Sequence, residues 1–418
     1  MHVSAALDVD VVAVENDDEI SVLFEITAPA APTSEPRPAA TVQIVLDRSG
    51  SMSGEPLDAA KAALVSLVER LDPTDNFGIV AFDDTVQIVS PAGLLTDKQV
   101  VRRAIAAIDA GGSTDLSSGY VRGLQEARRL CGATGATVLI VSDGHANAGV
   151  TDPVQLGGVA AHAQRHGITT TTVGLGLGYS EVLLAAIAAG GAGNHKFADG
   201  TDDTGPVIAG EIDGLLTKTV QAASLRVMLE RPVQHAHLLN DLPVVTLADG
   251  AIVELGELWA GETRRLLLKL TIPAVAALGL AQVATLELRY VTVPDFTEEV
   301  VTLPISVNVV PADVAAGRLP DPAVTSEVLF LTAQTAKRDA ERALRDGDVK
   351  TAAMMYRAAA SALQAELAYG DNDELRSEAE LLASLGAQAL GGNASRVAKF
   401  STSDRHYKST KRGRGWTA

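Results

Sequence analysis

Cysteine is almost absent from this sequence of 418 residues, in which Cys131 stands alone. An intrachain disulfide is therefore excluded, and nothing points to an oxidising compartment. Apolar runs of the ~18 residues that a membrane span requires are lacking as well. The richest stretch, residues 266–283, is broken by Lys269 and Pro273. The N-terminus lacks the basic and apolar segments of a secretory signal, so we expect a cytoplasmic protein without a membrane span.

Positive charge is in deficit, because 34 basic residues face 52 acidic ones and the net charge is −18. A surface of this kind repels nucleic acids and anionic membranes. Residues 396–418 are the exception, with seven basic residues, one acidic residue and interspersed aromatic ones. We expect residues 391–418 to form a flexible basic tail that folds onto the acidic body of its own chain. The alternative is that residues 396–418 contact an acidic partner or nucleic acid.

The character of the sequence changes several times along the chain, whose length suggests roughly two to four domains. An N-terminal block alternates apolar and polar residues, and the next block alternates β-branched apolar runs with amphipathic helices. Short strands then return, followed by long helical stretches. The predicted units are residues 1–38, 39–219, 220–311, 323–390 and 391–418.

These patterns predict an α/β fold combined with a β-sandwich. Apolar strands separated by helices indicate a doubly wound, mostly parallel sheet of the Rossmann-like kind, covered on both faces. The later strands, without helices between them, indicate an antiparallel sandwich. Two N-terminal strands are not stable alone, so we expect them to pair with the later strands. The α/β domain is then inserted into the sandwich, and a helical region follows.

Polar residues cluster where the predicted α/β strands end. Asp47, Ser49 and Ser51 follow the first buried strand, Thr114 lies on a glycine-rich turn, and Asp143 follows a later buried strand. Ligands of open α/β sheets bind outside the carboxyl ends of the strands, so these side chains are expected at one edge. An all-oxygen set suits Mg²⁺ or Mn²⁺, and more loosely Ca²⁺, and does not suit zinc.

The order Asp-x-Ser-x-Ser, then Thr, then Asp resembles the metal-ion-dependent adhesion site of von Willebrand factor A domains. Residues 72–82 and 142–153 are also similar to the subgroup that includes the inter-alpha-trypsin-inhibitor heavy chains and bacterial proteins. The resemblance covers about residues 41–219 closely and the flanking regions loosely. It implies a non-catalytic module for protein–protein interaction.

The resemblance also implies a role for each residue of the site. Ser49, Ser51 and Thr114 would contact the metal directly, whereas Asp47 and Asp143 would act through bound waters. One coordination position would stay open for an Asp or Glu of a protein partner. The surrounding loops would contact that partner through Gly54, Glu55, Ser113, Asp115, His145 and Asn147.

Other interpretations of these residues stay open. Ser, Asp and Gly are common in turns and helix caps, so each residue taken alone could be ordinary turn chemistry. The chain could serve as the scaffold of an AAA+ ATPase or chelatase, with ATPase activity from the partner because no P-loop motif occurs. A Mg²⁺-dependent phosphatase with Asp47 as nucleophile is less favoured, since residue 49 is Ser where a second acid is needed.

Overall fold

The computed structural model gives the three-dimensional structure of most of the chain. It describes residues 1–31, 37–132, 134–143, 146–231, 233–274, 277–293, 295–368 and 370–410, except for the side chains of residues 201, 202, 212 and 213. The described strands are arranged in three sheets, one in the α/β domain and two in the sandwich.

The sheet of the α/β domain has the order β6-β5-β4-β7-β8-β9. Its strands are β4 (Thr41–Asp47), β5 (Asn76–Phe82), β6 (Val86–Leu94), β7 (Ala136–Ser142), β8 (Ile168–Leu175) and β9 (Ala192–Ala198). All neighbours pair in parallel except β5 and β6. The predicted doubly wound, mostly parallel sheet is therefore confirmed, with one antiparallel edge strand.

Helices cover both faces of this sheet, so β4, β7 and β8 are buried along their whole length. The helices are α1 (Glu55–Arg70), α2 (Lys98–Ala106), α3 (Leu116–Leu130), α4 (Pro153–Gln164), α5 (Glu181–Gly190) and α6 (Thr201–Leu216). Ile44 and Leu46 of β4 belong to the core under α1, whereas Val45 between them belongs to the core under α3. The sheet therefore separates two hydrophobic cores.

The sandwich consists of the sheets β1-β3-β14-β11 and β12-β13-β10-β15-β16-β2. Its N-terminal strands are β1 (His2–Leu7), β2 (Val11–Ala13) and β3 (Asp18–Thr27). The later strands are β10 (Lys218–Leu229), β11 (His235–Leu238), β12 (Val244–Leu247), β13 (Gly250–Trp259), β14 (Thr263–Ile272), β15 (Gly279–Thr292) and β16 (Glu298–Val310). Because β3 pairs with β14 and β2 with β16, the insertion of the α/β domain into the sandwich is confirmed.

The chain ends in a helical region that packs on both other units. Its helices are α7 (Ala312–Ala315), α8 (Pro322–Arg345), α9 (Val349–Leu367), α10 (Asp373–Leu390) and α11 (Ala394–Thr410). Apolar side chains of α8, α9 and α10, including Phe330 and Leu382, form a core that also takes in Leu23 and Leu267 of the sandwich. None of the helices in the described ranges is long and apolar enough to cross a membrane.

The expectation of a flexible tail from residue 391 is wrong for residues 394–410, which form helix α11. Its basic side chains pair with acidic groups of the body, as Lys399 does with Glu181 and Arg405 with Glu341. The expected folding of the tail onto its own acidic body therefore describes this segment, as a helix. Residues 411–418, with the rest of the basic cluster, lie outside the described residues.

Candidate metal centre

Asp47, at the last position of β4, organises the loop that follows it. Its side chain is completely buried. One carboxylate oxygen accepts a hydrogen bond from the backbone N–H of Ser49 at 2.8 Å, and the other accepts from the Ser142 hydroxyl at 2.5 Å. Asp47 thereby fixes the turn of the first loop and ties it to the end of β7.

The two serine hydroxyls and the second carboxylate form one continuous cluster. The Ser49 and Ser51 Oγ atoms lie 3.2 Å apart, and Ser51 Oγ donates to Asp143 Oδ1 at 2.9 Å. Ser49 is buried, whereas Ser51 is exposed. Four of the five predicted ligands are thus joined by hydrogen bonds at the carboxyl edge of the sheet.

Thr114, the fifth predicted ligand, is held against the same edge by its backbone. Its N–H donates to Asn147 Oδ1 at 2.9 Å, and its carbonyl accepts from the N–H groups of Asn147 and Ala148. The glycine-rich turn before it contacts the first loop, because Gly50 N–H donates to Gly112 O at 3.1 Å. The three loops predicted from the sequence are therefore adjacent.

The two carboxylates of this cluster are in an environment that disfavours negative charge. Burial raises the pKa of Asp47, although hydrogen bonds from Ser142 and Ser49 oppose the rise. Burial raises the pKa of Asp143 to about 6, with the charge of Asp47 adding to the rise and the hydrogen bond from Ser51 opposing it. A bound cation would favour the charged form of both groups.

The residues predicted to contact a partner fall into different environments. Gly54, Glu55 and Ser113 are exposed. Asp115 is engaged as the N-cap of α3, where it accepts hydrogen bonds from two serines, and Asn147 supports Thr114. His145 lies outside the described residues. Ordinary capping therefore accounts for Asp115.

Asp83 is a strand-end carboxylate near the centre that the sequence analysis did not single out. It follows β5, and its backbone carbonyl accepts from the N–H of Asp115. Burial opposes ionisation, but hydrogen bonds from Thr85 and the charge of Arg48, 3.1 Å away, lower the pKa of Asp83. Its position directly after the apolar strand was the signal that could have identified it.

The arrangement of strands and loops agrees with a match to a known family. A model of the von Willebrand factor type A domain matches residues 42–205. This part of the chain is a von Willebrand factor type A domain. Domains of this type act in general as metal-dependent modules for protein–protein interaction, and the match supports that general role here.

Relatives of the chain include proteins with the same type of domain. The chain is 27% identical over 332 residues to the uncharacterized protein sll0103 of Synechocystis, and the match covers 76% of this chain and 77% of that protein. Human inter-alpha-trypsin inhibitor heavy chain H4 is 25% identical over 38% of this chain, which spans only 18% of that relative. The resemblance to bacterial proteins and inhibitor heavy chains is therefore confirmed.

Two solved structures share the fold along nearly the whole chain. A von Willebrand factor type A protein from Catenulispora acidiphila has a TM-score of 0.71 at 16% identity, over 90% of this chain and 89% of its own. The ArnB paralog VWA2 from Sulfolobus acidocaldarius has a TM-score of 0.67 at 14% identity, over 99% of both chains. At this identity the likeness concerns the fold alone.

Proposed function

We propose that the chain is a non-catalytic interaction module in which a divalent cation at the sheet edge binds an acidic residue of a protein partner. Ser49, Ser51 and Thr114 would hold Mg²⁺ directly, and Asp47 and Asp143 would hold it through water. The observation that carries the proposal is the continuous hydrogen-bonded cluster of two serines and two carboxylates at that edge.

The donor set fits a small hard cation. Hydroxyl and carboxylate oxygens suit Mg²⁺ or Mn²⁺, and Ca²⁺ with looser geometry. Within the described ranges, no cluster of three or more His, Cys, Asp or Glu side chains could hold a metal ion. The proposed centre instead combines two carboxylates with the hydroxyl groups of Ser49, Ser51 and Thr114. Burial and the charge of Asp47 disfavour the ionised form of Asp143, and the positive charge of a bound ion would compensate for this.

The protein supplies the shape of the site, and the ion supplies an electrophilic position for a carboxylate. Asp47 sets the turn that brings Ser49 and Ser51 to the same side. The ligands in direct contact are neutral hydroxyls, so the bound cation keeps most of its charge for an incoming Asp or Glu. Gly54, Glu55 and Ser113 are exposed and lie close in sequence to Ser51 or Thr114, so they would contact the partner.

The geometry disfavours hydrolysis with Asp47 as nucleophile. A nucleophile has to reach its substrate, and Asp47 is completely buried with both oxygens engaged in hydrogen bonds. Turnover of a generic phosphate ester with Mg²⁺ would contradict a non-catalytic role, provided that the turnover is lost in Asp47→Ala.

Isothermal titration calorimetry with Mg²⁺ tests the metal site. The wild-type chain should bind the ion, and Asp47→Ala and Ser49→Ala should lose the binding signal while keeping the far-UV circular dichroism of the native fold. Ser53→Ala is the matched control, because this exposed hydroxyl lies two residues beyond the proposed ligands. Unchanged binding in both site variants would disprove the assignment.

Affinity capture tests the interaction itself. Partners captured in Mg²⁺ should be released by EDTA and should be absent when Asp47→Ala is used as bait. A partner retained equally in EDTA and by Asp47→Ala would bind elsewhere on the chain, and the proposed role of the cation would fail for it.

A further inference from the structure

Helix α11 covers the outer edge of β9, the last strand of the α/β sheet. The Ser403 hydroxyl accepts from the N–H of Phe197 at 3.1 Å and donates to the carbonyl of His195 at 3.2 Å. The His406 Nε2 atom lies 3.3 Å from the carbonyl oxygen of Gly193. Side chains of the helix thus bind backbone groups that a further strand would use, and the helix is joined to the domain that carries the metal centre.

One turn before Ser403, Lys399 extends from α11 into the segment between β8 and α5. The residue is 3% exposed. Its ammonium group donates to the backbone carbonyl of Tyr179 at 2.5 Å and lies 2.9 Å from a carboxylate oxygen of Glu181. It also lies 4.3 Å from the centre of the Tyr179 ring. A buried cation with these partners fixes the place of the segment, because leaving either partner unsatisfied is costly.

The segment between β8 and α5 also packs near the strand ends that carry the proposed metal ligands. The buried Tyr179 ring lies on Gly174, where a Cβ atom would come within 2.2 Å of the ring. Gly174 is the strand neighbour of Ser142, whose hydroxyl holds the first carboxylate of the centre. Gly178 lies against the backbone carbonyl of Asp143, with 2.6 Å between a Cβ placed there and that oxygen. The segment therefore contacts Asp143 directly through Gly178, and it reaches Ser142 indirectly, through the packing of Tyr179 on its strand neighbour Gly174.

We propose that Lys399 is a positioning residue of the metal centre. By holding Tyr179 and Gly178 in place it sets the position of Asp143, so the docking of α11 and the binding of the cation stabilise each other. Groups behind the ligands of a metal typically change its affinity in this way. The inference rests on the proposed function, since it takes Asp143 to belong to a cation site.

The full-length chain with Lys399→Met tests this role, and Lys408→Met is the matched control on the same helix. Lys408 pairs with Glu378 at 2.7 Å and Asp404 at 2.9 Å, on the side of the helical region. Calorimetry with Mg²⁺ should show a dissociation constant about ten-fold higher for Lys399→Met. The control should stay within about two-fold, since it is not in contact with the segment that touches Asp143. Lys399→Arg should recover part of the affinity, which a purely structural loss would not predict.

Hydrogen exchange of the metal-free proteins provides a readout that does not require Mg²⁺ binding. Amides of residues 142–143 and 174–183 should exchange faster in Lys399→Met than in the wild type or Lys408→Met. If the wild type gave no Mg²⁺ binding, the proposed function would fail, and the exchange data would still decide whether Lys399 positions Asp143. Equal affinity and equal exchange in the two lysine variants would overturn the inference.

A variant on the opposite side of the contact keeps the test decisive if Lys399→Met does not fold. Glu181→Gln removes the anionic partner of Lys399 and leaves the lysine in place. It should weaken Mg²⁺ binding in the same direction and to a smaller extent, because the hydrogen bond to Tyr179 remains. Wild-type affinity together with wild-type exchange in Glu181→Gln would also reject the role of Lys399.

Discussion

The edge of the α/β sheet and the interior of the helical region both hold clustered carboxylates, but the two clusters are completed differently. In the helical region, the fully buried Lys337 pairs with Glu378 and Asp404, and Lys408 pairs with the same two acids. At the sheet edge, the described partners of the Asp47 and Asp143 side chains are hydroxyl and backbone amide groups.

This difference separates a structural ion cluster from a binding site. Carboxylates neutralised by the protein's own ammonium groups have no need of a further cation. At the sheet edge the described partners of the carboxylates are neutral donors, and burial raises the pKa of Asp143 to about 6. A cation from solution would stabilise the charged form of these groups. The two clusters should therefore respond in opposite ways to mutation and to Mg²⁺.

The largest effect is expected from Lys337→Met. The change leaves two acids, Asp404 and the 1% exposed Glu378, with Lys408 as their one remaining ammonium partner among those described. Removing one partner of a buried ion cluster costs about 3–5 kcal/mol. Chemical denaturation should show a loss of this size in the free energy of unfolding.

The control for this loss is Arg376→Met, because Arg376 pairs with Asp373 on the surface of the same region. Exposed pairs of this kind contribute about 0–1 kcal/mol. If the two substitutions cost the same, the cluster around Lys337 would not be the structural ion cluster that the comparison requires.

The second-largest effect is expected from the binding of Mg²⁺, and it should involve only the cluster at the sheet edge. Mg²⁺ at a hundred times its dissociation constant should raise the free energy of unfolding by about 2.7 kcal/mol, since the folded chain alone holds the site. Lys337→Met, although destabilised, should keep this increment, and Ser49→Ala should lose it. Denaturation with and without Mg²⁺ measures both, and loss of the increment in Lys337→Met would show that the clusters are not independent.

The pH dependence of stability distinguishes the clusters further. Burial alone would raise the pKa of Glu378, but the charges of Lys337 and Lys408 lower it below its ordinary value of 4.5. A lowered pKa in the folded state means that the stabilisation is present above pH 4.5 and is lost as the pH falls below it. Each pH unit between the folded and unfolded pKa values is worth about 1.4 kcal/mol.

Comparison with Glu378→Gln isolates this contribution. The stability difference between the wild type and Glu378→Gln should shrink as the pH is lowered from about 5 to about 3, by at least about 1.4 kcal/mol. Denaturation at several pH values gives the difference directly. A constant difference across this range would mean that the lysines do not favour the ionised form of Glu378.

The sequence predicted what depends on short local patterns. The loop after β4 and the carboxylate after β7 each follow an apolar strand, so their place at one edge followed from the topology of a parallel sheet. The contribution of Ser142 and Asn147 to that edge depends on tertiary contacts and could not be predicted.

Helix α11 was not predicted because polar and basic residues fill its buried face, where Lys399 and Ser403 bind partners distant in sequence. Its helical pattern therefore lacks the apolar stripe that identifies surface helices.

The smallest effect is expected from a substitution of Asn147. It tests whether this residue supports the proposed metal centre or contacts a partner. Its amide oxygen accepts from the N–H of Thr114 at 2.9 Å, and Asn147→Ala removes this bond while sparing the proposed ligands. A single hydrogen bond of this type is worth about 1 kcal/mol, so the dissociation constant for Mg²⁺ should rise about five-fold. Calorimetry measures the change, with Ser53→Ala again as the control. Asn147→Ala could instead bind Mg²⁺ as the wild type does but capture less partner. Asn147 would then act at the interface with the partner, as expected from the sequence. The proposed metal centre would in that case not need the hydrogen bond from Thr114 to Asn147.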